Sequence, residues 1–138
     1  MVTRLRISHQ RGKPILVFSA AELDAAIDLI SGDSARQECP SMVEITVEED
    51  PYGHAYIDAG IGVERGFVHL NGPDTYRTTV GDPSATGTVL YDYCGNGEDV
   101  PASEEVPLAT VRAVLAAFLA HDGLIPDDHP DLHLFPTG

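Results

Sequence analysis

Hydrophobic and polar residues alternate at the start of the chain with the period of a β-strand. Residues 2–8 follow this alternation, and residues 14–18 form a second apolar, β-prone segment. The polar sequence 9–13 between them contains a glycine and is typical of a turn. The pattern therefore predicts that the chain opens with a β-hairpin.

A helical period follows this hairpin. Ser19 and Glu22 have the spacing of a capping box, in which each side chain bonds a free backbone N–H at the start of a helix. Apolar residues then recur at positions i, i+3, i+4 and i+7, namely Leu23, Ala26, Ile27 and Ile30. The pattern predicts a first helix over about 20–31, with Gly32 as its C-terminal stop.

From Met42 the period returns to two. Three aliphatic residues alternate here with three polar ones, so that Val43, Ile45 and Val47 are separated by Glu44, Thr46 and Glu48. This predicts a strand with one buried face and one acidic, solvated face. Further strands are predicted over 54–60, 65–70, 75–80 and 87–93, with Gly60-Ile61-Gly62 as a turn or bulge. Their short connections favour an antiparallel meander.

A second helix is predicted after residue 106. Pro107 suits the first helical position, where its missing N–H costs nothing. The residues that follow form one apolar stripe ending near 121–123: Leu108, Val111, Leu115, Phe118 and Leu119. The three prolines of residues 124–138 predict a mostly irregular tail.

These elements predict an α+β fold in a single domain spanning residues 1–138. The expected architecture is an antiparallel β-sheet of about five to seven strands, arranged as a meander, with two α-helices packed on one face. No internal repeat or long linker divides the chain.

The charge balance restricts the partners of this domain. The sequence has 22 acidic and 8 basic residues, giving a formal charge of −14. Such a surface repels phosphate backbones and anionic lipids, so that direct binding to nucleic acid or to a membrane is not expected. An acidic surface attracts a basic protein or merely keeps the protein soluble, and composition leaves both interpretations open. The N-terminus lacks the features of a signal peptide, which predicts a cytoplasmic protein.

No motif in the sequence predicts catalysis, a metal site or a cofactor. Cys39 and Cys94 have no CxxC spacing, and no nucleophile elbow occurs. His129 and His133 have the i, i+4 spacing of zinc ligands, but Pro130 opposes the helix that this geometry needs. Two alternatives stay open: a small-molecule-binding or regulatory domain that uses the concave sheet face opposite the helices, and a hydrolase based on Cys94 and a histidine.

Residues 91–105 combine tyrosines with acidic residues. Tyr91 and Tyr93 precede a stretch that contains Glu98, Asp99, Glu104 and Glu105 but no basic residue. Tyrosine is enriched at protein interfaces, and acidic neighbours would accelerate association with a basic partner. The competing interpretation is that a tyrosine fills the core while the acids are simply solvated. Spacing alone favours neither.

Several sequence segments resemble a known family. They are Arg65-Gly66-Phe67-Val68-His69, the later 87–93 segment, and Val106-Pro107-Leu108 opening a helix that ends Ala117-Phe118-Leu119. With the early 19–24 segment, they are similar in order and spacing to the first-numbered immunity-protein family of bacterial polymorphic toxin systems, common in actinobacteria. The resemblance covers roughly residues 3–120. The chain departs from the family pattern at its end, where a tryptophan-containing strand is often found and this chain has no tryptophan.

The resemblance implies a non-enzymatic antitoxin. Such a protein binds the toxic C-terminal domain of a neighbouring gene product, often a nuclease or nucleic-acid deaminase, and blocks it inside the producing cell. The expected partner is thus a basic toxin domain, and a homodimer of the free protein remains open. The predicted partner contacts are the 91–105 stretch and the acidic strand face, namely Tyr91, Asp92, Tyr93, Glu98, Asp99, Glu104, Glu105, Glu44 and Glu48.

Overall fold

A computed structural model describes residues 4–9, 13–49, 55–72, 76–93 and 95–134. Its strands are β1 (Leu5–Ser8), β2 (Ile15–Val17), β3 (Ser41–Val47), β4 (Tyr56–Ile61), β5 (Arg65–Asn71), β6 (Tyr76–Thr78), β7 (Thr88–Tyr93), β8 (Asn96–Pro101), β9 (Val106–Pro107) and β10 (His133–Leu134). The helices are α1 (Ala20–Ala35) and α2 (Leu108–Ala120), and a short 3₁₀ helix spans Ala102–Glu104. The predicted α+β class, an antiparallel sheet with two helices, is confirmed.

The described strands form one open sheet with the order β10-β6-β5-β4-β3-β1-β2. Strands β3 to β6 are a meander, and β1 and β2 form the predicted opening hairpin beside β3. The meander ends at β6, because β7 returns to pair in parallel with the start of β3. The prediction of a simple meander was therefore incomplete, and strand β8 and the two-residue strands β9 and β10 were not predicted.

Both helices pack on one face of this sheet. Helix α1 contacts β2, β3 and β4, whereas α2 contacts β4 and β5, and the helices also touch each other. Between the helices and the sheet lies a continuous apolar core built from the predicted stripes, including Leu23, Ile27, Ile30, Val111, Leu115 and Phe118. Burial of these side chains is the main source of stability, at about 1.5–3 kcal/mol for each large aliphatic or aromatic residue.

Helix α1 begins as predicted but ends later. The Ser19 hydroxyl accepts the Glu22 N–H at 3.2 Å, and the Glu22 carboxylate accepts the Phe18 N–H at 2.9 Å. Gly32 does not stop the helix, which continues to Ala35. Two serines hold this last turn on the sheet, since Ser31 Oγ donates to the Gly62 carbonyl and Ser34 Oγ donates to the Ile61 carbonyl at 2.6 Å.

The face of β3 opposite the helices is not the acidic, solvated face that alternation predicted. Met42 and Thr46 are buried, and Glu44 is half-buried. The hairpin of β7 and β8 lies over this outer face and forms a second, smaller apolar cluster of Met42, Phe67, Tyr91 and Val100. The outer face is thus partly covered by a segment distant in sequence, which a local periodicity cannot report.

Two smaller predictions were also wrong in detail. Gly60 and Ile61 are the last residues of β4, not a turn, and a side chain at Gly60 would come within 2.5 Å of ring carbons of both Phe67 and Tyr91. Gly60 is therefore needed for close packing of the two aromatic rings, a role that belongs to the tertiary structure. The second correction concerns Pro107, which is the N-cap of α2 instead of its first residue.

Between α2 and β10 the chain is largely irregular, but it is fastened to the sheet. Asp122 and Gly123 have positive φ and reverse the chain at the end of the helix. The buried Arg77 guanidinium donates to the carbonyls of Ile125 and Pro126 at 2.9 and 2.8 Å. Ile125 and Leu132 enter the main core, so this segment contributes to the packing.

Candidate partner-binding surface

The β7–β8 hairpin carries most of the predicted contact residues. It is joined to the sheet where the Asp92 N–H donates to the Pro40 carbonyl at 2.8 Å and where β7 pairs with Ser41 and Met42 of β3. Strand β8 then pairs antiparallel with β7 from Asn96 to Pro101. The hairpin therefore projects from one corner of the sheet while its inner side chains cover the outer face.

Tyr91 is a core residue. It is fully buried and packs edge-on against Phe67, with ring centroids 4.9 Å apart at 82°. Its hydroxyl donates to Glu105 Oε2 at 2.7 Å. Burial, followed by the hydrogen bond and the charge of Glu105, raises the pKa of the Tyr91 phenol, so that it stays neutral. Of the two interpretations left open by the sequence, the geometry of Tyr91 matches the core-filling one.

Tyr93 lies on the same side of β7 as Tyr91 and is half-buried. Its hydroxyl is 3.2 Å from Asp58 Oδ1 and 3.4 Å from Glu44 Oε2. Asp58 also accepts the Asn71 side-chain N–H at 3.2 Å. Burial raises the pKa of the Asp58 carboxyl, although the hydrogen bonds from Tyr93 and Asn71 oppose this shift. Tyr93 thus ties the hairpin to polar groups of β3, β4 and β5.

A second polar pair lies beside this group. His69 Nε2 and Glu104 Oε1 are 2.6 Å apart, and both side chains are largely buried. The His69 ring also stacks at a tilt on Phe67, with centroids 4.7 Å apart. Glu104 therefore joins the 3₁₀ helix to β5 and is not a freely solvated acid.

Sequence reasoning did not identify Asp58, His69 or Asn71 as members of this polar cluster. Each is a polar residue in an otherwise β-prone segment, so the sequence already showed polar positions within β4 and β5. That signal does not say which polar side chains meet, because the partners come from separate strands. Pairing them required the sheet register, which places Asp58 opposite His69.

The remaining predicted contacts lie nearer the solvent. Glu98 and Asp99 are exposed on β8, whereas Asp92 is half-buried and accepts the Gly95 N–H at 2.9 Å. Glu105 is half-buried under Tyr91, and Glu48 lies 3.7 Å from Arg6 across the β1–β3 pair. Of the predicted residues, Glu98 and Asp99 are the most accessible to a partner.

On the rest of the described surface, several arginines form ion pairs with acidic side chains. Arg4 binds Glu49 at 2.8 Å, Arg36 binds Asp33 at 2.8 Å, and Arg112 on α2 binds Asp24 and Asp28 on α1. Each such exposed pair contributes little stability, because water and salt screen the charges and two side chains must be held in place. These pairs affect the electrostatics of the surface, because the arginines that form them do not balance the remaining acidic residues.

A metal-binding cluster is absent from the described parts of the chain. These residues hold no group of three or more histidine, cysteine and acidic side chains placed to bind a metal. Cys39 is a free, half-buried thiol, while Cys94 and His54 lie outside the described residues. No helix in the described ranges has the length and apolarity needed to span a bilayer.

Comparison with protein families decides the classification. The family model described as immunity protein Imm1 matches residues 11–134, which is most of the chain. The chain belongs to the Imm1 immunity protein family. The resemblance predicted from the sequence is thereby confirmed, and it extends into the C-terminal segment beyond residue 120. No curated protein matches the chain.

Membership of the Imm1 family gives the β7–β8 hairpin a context. An immunity protein acts by binding a toxin, so a solvent-facing, charged element is a better candidate for the contact surface than a buried polar pair. A groove of about 740 Å³ lies beside the hairpin, between it and the C-terminal end of α1, and is lined by polar residues such as Gln37, Ser41 and Asp92 together with apolar ones such as Leu90. Hairpin and groove together form an accessible surface with exposed acidic residues.

Proposed function

We propose that this protein neutralises a cognate toxin domain by binding it through an acidic surface, inside the cytoplasm of the producing cell. The toxin is expected to act on nucleic acid, as a nuclease or a deaminase. The observation that carries the proposal is the match of residues 11–134 to the Imm1 family. Inhibition is stoichiometric and needs no catalysis by this chain.

The charge distribution supports the choice of toxin class. A domain that acts on nucleic acid needs a cationic cleft to hold phosphates. The formal charge of −14, with several arginines already bound to acids of the same surface, makes this protein a competitor for such a cleft. Carboxylates would then occupy positions that phosphates occupy in the substrate complex.

We assign the predicted contact residues three kinds of contribution. Glu98 and Asp99 are exposed and are proposed to face the toxin. Tyr91, Tyr93, Glu104 and Glu105 are proposed to act indirectly, because their hydrogen bonds hold the hairpin on the sheet. Asp92, Glu44 and Glu48 are half-buried and are proposed as secondary contacts.

The proposal is tested by co-expression. A host that produces the toxic domain encoded beside this gene should survive when this protein is present and die when it is absent. A complex of one toxin to one immunity protein should then co-purify and weaken as salt is raised. Death in the presence of well-folded protein, together with failure to co-purify, would overturn the proposal.

The groove beside the hairpin favours one second candidate, a small-molecule-binding or regulatory domain. Its volume of about 740 Å³ lies within the range of ligand pockets. A thermal-shift screen of metabolites would support this candidate if a compound stabilised the protein and substitutions at Gln37 or Glu38, which line the groove, abolished the effect. Rescue from the toxin by the same variants would leave the immunity function intact.

A further inference from the structure

Strand β8 has an open edge. Among the described residues it pairs with β7 alone, whereas β7 lies between β8 and β3. Asn96, Gly97, Glu98 and Asp99 are all exposed. An open strand edge presents unpaired backbone N–H and C=O groups, and these can pair with a strand of another protein.

The hydrogen bonds of β7 fix which groups of β8 face outward. The Asp92 N–H donates to Pro40 of the segment entering β3, so it points away from β8. Asp92 and its opposite residue Gly97 are therefore a non-hydrogen-bonded pair, and both direct their backbone groups away from each other. Alternation then directs the backbone of Asp99 outward as well. Pro101 is next in this series and has no N–H, which matches its place on an open edge.

A second copy of this chain is a poor occupant for this edge. When two β8 strands pair antiparallel about a twofold axis, a register centred on Glu98 or on Asp99 places that acidic residue opposite its own copy, and in every register two chains of charge −14 repel each other. Like charges directly opposite each other destabilise a strand pair. The same two carboxylates favour a strand that carries lysine or arginine at the opposing positions.

We propose that β8 is the docking strand for the toxin, and that an extended, cationic segment of the toxin adds to its open edge. The outward N–H and C=O groups of Gly97 and Asp99 would supply the backbone hydrogen bonds. Glu98 and Asp99, which project to opposite sides of the strand, would supply the selectivity for basic side chains. This inference rests on the proposed function and names the surface that performs it.

Hydrogen exchange of the complex provides the direct test. The probe is the toxic domain encoded beside this gene, mixed with the intact protein. We expect the amides of Gly97 and Asp99 to exchange at least about tenfold more slowly in the complex than in the free protein. A complex that forms and protects the host while these amides exchange at the free rate would overturn the inference and leave the proposed function standing.

A backbone substitution with a matched control separates strand addition from simple charge attraction. Gly97→Pro removes one outward N–H without removing a bond to β7, while Gly97→Ala keeps that N–H. We expect the proline variant to weaken toxin binding roughly tenfold and the alanine variant to bind within about threefold of the parent protein. Equal binding by all three proteins, each checked for unchanged thermal unfolding, would contradict strand addition.

The charge of the edge is tested by reversal at two places. Glu98→Lys with Asp99→Lys changes the net charge as much as Glu64→Lys with Asp128→Lys, which alters two exposed acids outside β8. The first pair should weaken the complex at least about tenfold more than the second. Equal losses would show that only overall charge matters and would overturn the docking assignment. Failure of the parent protein both to bind and to protect would overturn the proposed function as well.

Discussion

The two faces of the central sheet are built from alternate residues of the same strands, yet they differ in chemistry. On β3, Val43 and Ile45 are buried under the helices, whereas Glu44 on the opposite face is half-buried. The helix-covered face is apolar throughout its core. The outer face mixes a small aromatic cluster with paired polar groups such as His69 and Glu104.

The two faces therefore place different demands on their side chains. The helix-covered face needs side chains of suitable volume, whereas the outer face needs specific hydrogen-bond partners. Apolar burial is not directional, so the helix-covered face needs the right volume and pattern. Buried polar groups need specific hydrogen-bond partners, and on the outer face those partners come from distant segments. The Tyr91 hydroxyl donates to Glu105, and the Tyr93 hydroxyl donates to Asp58. The outer face therefore fixes the position of the β7–β8 hairpin.

The largest expected effect lies on the helix-covered face. Phe118→Ala removes a fully buried aromatic ring from α2 and should lower the free energy of unfolding by about 3–5 kcal/mol. Urea unfolding followed by circular dichroism measures this change. The exposed Leu124→Ala serves as the control and should cost far less. Similar losses for the two variants would contradict the assignment of the core.

A glycine pair tests how tightly the outer face is packed. Gly60→Ala would place a methyl group against the rings of Phe67 and Tyr91 and should destabilise the protein by about 1–3 kcal/mol. Gly32→Ala within α1 meets no atom within 4 Å and should stabilise the protein by about 0.5–1 kcal/mol. Thermal and urea unfolding should thus give opposite signs. The same sign for both would refute the contrast.

The hydrogen bond that fastens the hairpin should have a smaller effect. Tyr91→Phe removes the hydroxyl that donates to Glu105 and should cost about 1 kcal/mol, because the half-buried carboxylate keeps access to water. A double-mutant cycle with Glu105→Ala isolates the interaction from other effects of each change. A coupling energy near zero would show that the bond contributes nothing to holding the hairpin.

The smallest effect concerns pH. Burial raises the pKa of folded Asp58 above its ordinary value of 3.8, so the folded state binds this proton more tightly than the unfolded state. Stability that protonated Asp58 contributes is therefore lost as pH rises from about 3.8 toward the raised pKa. Asp58→Asn removes this dependence, and the difference in unfolding free energy should shift in favour of the variant across that interval.

Urea unfolding at closely spaced pH values measures this trend. The exposed Asp128→Asn is the matched control, since it also removes one carboxylate from an acidic chain. A difference between Asp58→Asn and the parent protein that does not change with pH would contradict the effect of burial on Asp58.

The sequence predicted the elements whose signal is local. The capping residues Ser19 and Glu22 and the apolar stripes located both helices, and alternation located most long strands. The end of α1 was missed because Ser34 bonds to the last residue of β4 and Ser31 bonds to the residue after it, contacts between segments far apart in the chain. Strand β8 was missed because its exposed, acidic and glycine-containing sequence has no apolar alternation.

The candidate surface shows the same limit. Composition and the 91–105 stretch pointed to an acidic surface near the hairpin, and the family resemblance pointed to a toxin as the partner. Neither distinguished the buried Tyr91 and Glu104 from the exposed Glu98 and Asp99. That distinction depends on which side chains lie over Phe67, because Glu98 stands opposite Tyr91 in the strand register and is nevertheless exposed.

By itself, the sequence determined the α+β class, the helix-covered core and the acidic character of the protein. Periodicity and charge are properties of neighbouring or summed residues, so they can be read without coordinates. Only the tertiary structure decided that β7 returns to β3, that the β7–β8 hairpin and paired polar groups partly cover the outer face, and that the edge of β8 is open among the described residues. Those features arise from pairings between distant residues, and their free energy exists only once the chain has folded.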